Sequence, residues 1–79
     1  MDADNLVRMA NRIGEFFIAM PDRVEAKAGI VQHIRKFWEP RMREQLFAHI
    51  DSEDGHALSP LVLEAINEQR VHLMPQRAR

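Results

Sequence analysis

The 79-residue sequence contains no cysteine. That excludes a disulfide framework, a zinc–thiolate site and a cysteine-held iron–sulfur cluster. Glycine is scarce, three in all, and forms no loop that could cradle a phosphate. Neither sign of charge dominates. Eleven Lys and Arg stand against twelve Asp and Glu, a net charge of −1, so no global field draws in nucleic acid or an anionic membrane. The longest apolar run, Phe16 to Met20, is far too short to span a bilayer. The sequence opens Met1-Asp2-Ala3-Asp4, acidic where a signal or transit peptide is basic, so the expected location is cytoplasmic. No alternating apolar run is flanked by hairpin residues, and neither repeats nor low-complexity segments occur.

What is present reads as one small globular unit. Hydrophobic residues make up 46% of the chain and charged residues 29%, a globular composition. A chain this short buries only ~60% of its unfolded surface, so its core is marginal without reinforcement. Leu6, Met9, Ala10, Ile13, Phe17 and Met20 recur at the 3.6-residue period and predict a helix over 3–19. Asp2 or Asp4 caps it and Met20-Pro21 ends it. Gly14 sits inside this helix at a cost of ~1 kcal/mol against Ala, which points to close approach of another helix. Asp22, with Glu25 three residues on, opens a second helix over 22–38. Pro40 stops it and starts a third over 41–50, followed by an acidic loop, Asp51 to Gly55. Ser59-Pro60 starts a fourth over 60–72, with Leu58 and Leu63 placed for a hydrophobic staple. The expected fold is all-α, a small antiparallel three- to four-helix bundle. It forms a single helical domain over 1–74 with a frayed tail at 75–79.

Catalytic and metal-binding patterns are weak. His33, His49, His56 and His72 show no HExxH spacing. Glu53-x-x-His56 has the spacing of one half of a di-metal carboxylate pair, but that chemistry needs two such pairs and two further Glu on helices. Glu68 and His72 are four apart, an ordinary helix-surface pair. The acidic loop misses the EF-hand pattern, with Gly55 fifth from Asp51 and Val62 twelfth. No nucleophile with a base beside it is recognisable. The expected metal and catalytic residues are therefore none.

The segment Arg35-Lys36-Phe37-Trp38-Glu39-Pro40-Arg41-Met42-Arg43 is the most informative stretch, with four positive charges, one negative and two aromatics. Three readings stand beside one another. Arg35 and Lys36 suit the last turn of a helix, and Phe37 and Trp38 can close the core at a helix–helix corner. Aromatics with arginine also make the anchors of protein interfaces. Basic residues with interleaved aromatics bind single-stranded nucleic acid, although the net charge offers nothing for phosphate affinity. Phe16, Phe17, Ile18, Ile30 and Val31 add a second clue, since a three-helix core of this size cannot easily take them all. Either a fourth helix covers them or a partner does, a second copy in a homodimer included.

Two stretches resemble one family. The first is Leu6-Val7-Arg8-Met9-Ala10-Asn11, Ile13-Gly14, Phe16-Phe17 and Met20-Pro21. The second is Gly29-Ile30-Val31-x-His33-Ile34-Arg35-Lys36-Phe37-Trp38-x-Pro40-Arg41-Met42-Arg43, followed by Leu46 and His49. Together they resemble the delta subunit of the bacterial NAD-dependent, molybdenum-containing formate dehydrogenases. The likeness covers roughly residues 5–50, and Leu58-Ser59-Pro60-Leu61-Val62 is similar more weakly. The resemblance implies a cofactor-free, non-catalytic accessory subunit of a complex that oxidises formate and reduces NAD. It would dock on the large molybdenum-containing catalytic subunit, with other subunits of the complex as further neighbours, and would bind neither nucleic acid nor membrane. Phe37 and Trp38 would anchor it, with Arg35, Pro40, Arg41 and Arg43 around them. Phe16 and Phe17 form the alternative docking face.

Overall fold

The computed structural model describes residues 2–53 and 57–73, the side chain of Glu53 excepted. Five helices follow one another in chain order: α1 (Ala3–Phe17), α2 (Arg23–Phe37), α3 (Pro40–Glu53), α4 (Pro60–Glu68) and α5 (Arg70–Leu73). No strand occurs among the described residues, and the all-α expectation holds. None of these helices is long and apolar enough to cross a membrane.

The caps are those the sequence offers. The Asp2 carboxylate accepts from the Asp4 backbone N–H, and Asp22 accepts from Val24. The Ser59 hydroxyl accepts from Val62, with Pro60 behind it at the first helical position. The boundaries differ by more than one residue in three places. α1 closes at Phe17 and not at residue 19, because Met20 N–H turns back to the Phe17 carbonyl ahead of Pro21. α3 runs through Asp51, Ser52 and Glu53, which were expected in a loop; none of the three is a helix breaker. The loop's remaining residues, 54–56, lie outside the described residues, as does the expected tail. Finally, the helix expected over 60–72 is broken at Gln69, whose backbone leaves helical geometry at φ −114°, ψ 23°. The break turns α5 so that Leu73 reaches the core.

α1 and α2 pack as a hairpin, and α4 closes over both. α3 does not fold back mainly on α2, its neighbour in sequence; it leans on α1. The core draws on every helix, from Leu6 and Ala10 through Ile30, Ile34 and Leu46 to Ile66 and Leu73. No buried residue among those described is polar or charged. Two glycines set the approach of the helices. A Cβ on Gly14 would collide with the Val62 side chain, so α4 rests directly on the α1 backbone. A Cβ on Gly29 would collide with the ring of Phe17.

Candidate docking surface

Among the described residues the titratable groups do not converge on a catalytic arrangement. His33 is half-buried with its ring 4.9 Å from that of Phe37, His49 is half-buried on α3, and His72 is exposed on α5. Glu68 does not pair with His72; its carboxylate takes the Lys27 ammonium at 3.0 Å. Among the described residues no group of three His, Asp or Glu could hold a metal ion. His56 and the side chain of Glu53 lie outside the described residues. What the described surface offers is apolar area beside cations that have no ion pair among the described residues, the chemistry of recognition.

The basic aromatic corner divides its two rings between inside and outside. Trp38 ends α2 in extended conformation, and its backbone N–H still reaches the Ile34 carbonyl at 2.9 Å. That geometry buries its indole to 6% exposure within the core. Phe37, one residue earlier, stays 68% exposed. The sequence treated the pair alike; the exposed aromatic of this corner is Phe37, and the Trp38 ring belongs to the core. Around Phe37 stand Lys36, Pro40 and Arg41, all exposed. Neither Lys36 nor Arg41 has an ion-pair partner among the described residues. Arg43 is half-buried, and its Nε lacks a hydrogen-bond partner there. Arg35 is exposed on a different face of α2. With Val24, Ala28 and Val31 it lines a groove of about 460 Å³ whose far wall is Glu68, Gln69 and His72.

The surplus apolar residues are also divided. Ile30 and Val31 enter the core, Phe17 is half-buried against Gly29, and Phe16 and Ile18 remain outside. Phe16 is 75% exposed, with its ring edge-on to Phe17 at a centroid distance of 5.0 Å.

Three polar clusters tie the helices together, and the linear sequence gave no sign of them. Asn11 on α1 donates to the Ala57 carbonyl at 3.0 Å and accepts from Ser59 N–H at 2.8 Å, which fixes the chain entering α4. Arg23 and Lys27 on α2 grip Glu64 on α4, with Lys27 Nζ to Glu64 Oε2 at 2.8 Å. Hydrogen bonds from Arg23 and then Lys27 hold the Glu64 carboxyl down to about 2, and Glu64 followed by Glu68 raises the Lys27 ammonium above its ordinary value. Arg70 on α5 reaches Asp51 at 2.9 Å and lies 5.0 Å over the Phe47 ring, tying α5 to α3. All three join residues at least 19 positions apart, beyond any local pattern.

The family model of the NADH-dependent formate dehydrogenase delta subunit, FdsD, matches residues 5–66. The chain belongs to the FdsD family. It is thereby a subunit of a formate dehydrogenase complex. The match takes in the α1–α2 hairpin with both of its packing glycines, the basic aromatic corner and most of α4, so the FdsD region and the exposed aromatics coincide. No curated protein and no solved structure matches the chain.

Proposed function

We propose that this FdsD chain is a non-catalytic accessory subunit. It docks on the large molybdenum-containing catalytic subunit of formate dehydrogenase and stabilises the complex or helps to assemble it. The observation that carries the reading is the family match over residues 5–66. The surface supports it. An exposed aromatic flanked by cations that have no ion pair among the described residues is suited to an apolar recess on another protein, with acidic or carbonyl groups at its edge. In this reading Phe37 is the anchor, Pro40 and Arg41 flank it, and Trp38 holds the corner in shape from inside.

Expression of the tagged chain with the formate dehydrogenase subunits of its own source tests the proposal. Stoichiometric recovery with the catalytic subunit is the expected result and identifies a structural subunit. Recovery only with catalytic subunit that lacks its cofactor identifies an assembly factor. Recovery of the chain alone overturns the reading. Exposed Phe16, Ile18 and Phe37 then favour self-association, seen as a dimer by light scattering.

A further inference from the structure

We infer that the two apolar patches flagged by the sequence are ends of one docking surface. It runs along the α1–α2 seam from Phe16 to Phe37 and takes a partner that presents an apolar recess with a carboxylate edge. The inference rests on the accessory-subunit reading above and adds which face is used and what meets it.

The continuity runs through ring contacts at both ends and one shared face of α2 between them. Phe16 packs edge-on against Phe17. The Phe17 ring lies on Gly29, where a side chain would displace it. Gly29, His33 and Phe37 step by four, so they share one face of α2, and the row climbs about 12 Å along the helix. The His33 ring against Phe37 closes the far end. Met9, Ile13 and Phe16 step by four and three along α1 and share a face; Met9 and Ile13 sit half-buried at the core's edge. Aromatics at both ends with a glycine between them leave a ridge that a recess can enclose.

Charge selects the occupant. The Phe37 end carries exposed Lys36 and Arg41 and half-buried Arg43, with Glu39 the sole acid between residues 36 and 43. Lys36 and Arg41 are exposed and lack ion pairs among the described residues, so an interface covering them needs carboxylates on the other side. The groove on the opposite side of α2 has no exposed aromatic, and its acid, Glu68, is already paired with Lys27.

The test titrates the full chain against the formate dehydrogenase complex of its own source prepared without it. Phe16→Ser and Phe37→Ser, both at exposed positions, should keep parental helicity by circular dichroism and each weaken binding at least about tenfold. Val24→Ser, on the groove, should bind as the parent does. Lys36→Glu with Arg41→Glu should weaken binding further, and added salt should weaken the parent. Loss at one end of the seam only, or loss with Val24→Ser, overturns the seam but leaves the accessory-subunit reading standing. Parental binding that is indifferent to salt and to both charge reversals overturns the carboxylate edge. A parent chain that fails to bind the complex at all overturns the accessory-subunit reading itself. If that chain is also a dimer split by Phe37→Ser, the seam's occupant is a second copy.

Discussion

Gly14 and Gly29 lack a side chain for the same geometric reason but with different consequences. The atom a Cβ at Gly14 would strike belongs to Val62, which is fully buried between helices and has nowhere to go. Gly14→Ala gains ~1 kcal/mol of helix propensity yet incurs the ~1–3 kcal/mol typical of overpacking, plus displacement of the α4 start that Ser59 caps. The expected outcome is a net loss of about 1–2 kcal/mol in urea unfolding. Gly29→Ala meets the ring of Phe17 instead, which is half-buried at the surface and can rotate outward. Its cost should be the smaller of the two in the same urea titration. A larger loss at Gly29 than at Gly14 would mean that the Phe17 ring is as firmly held as Val62. The cost of a glycine inside a helix already pointed to a close helix approach at Gly14. Gly29 also sits inside an expected helix, but nothing local says that its neighbour is the Phe17 ring of another helix.

At the scale of elements, the α2–α4 contact depends on ionised groups. Glu64 is depressed to about 2 in the folded chain, so its contribution to stability is complete above the ordinary carboxylate range and is lost as pH falls toward 2. Lys27 is raised, so its contribution is complete below the ordinary lysine value of 10.5 and is lost as pH rises through the higher folded value. Parent and Glu64→Gln should therefore differ in melting temperature by a constant amount between about pH 6 and 9, and the difference should shrink below about pH 4.5. A difference that persists at pH 2 would show that packing, not charge, is lost in the variant. Asn11→Ala, which removes the two hydrogen bonds that place the α4 entry, should cost about 1–3 kcal/mol in the same measurements. The helices themselves were legible because caps and breakers are local: Asp22, Pro21, Pro40 and Ser59-Pro60 all act where they stand. The break at Gln69 was not legible, since neither Gly nor Pro marks it and what α5 reaches after it, the core for Leu73 and Asp51 and Phe47 on α3 for Arg70, is distant in sequence.

For the molecule as a whole, Trp38 and Phe37 distinguish what holds the fold from what the fold presents. Both were candidates for the same role because adjacency in sequence says nothing of which way each ring turns where a helix ends. Helix periodicity lapses at the Trp38 cap, and extended backbone there carries the indole inward. Phe16 and Phe17 part in the same way, one outside and one against Gly29. A domain of this size has a total stability of roughly 4–12 kcal/mol. Trp38→Ala removes a buried indole at a cost of about 3–5 kcal/mol, which consumes much or all of that. Its far-ultraviolet circular dichroism should show a broadened or absent thermal transition. Phe37→Ala, at an exposed position, should melt within about 0.5 kcal/mol of the parent. Trp38 is the sole tryptophan, so its emission reports the core directly: blue-shifted in the native chain and red-shifted on unfolding, with the Phe37 variant keeping the native spectrum. Cooperative melting of Trp38→Ala at the parental temperature would show that the corner does not depend on the indole. Loss of binding in that variant would then report docking directly, where a melted core would otherwise account for it.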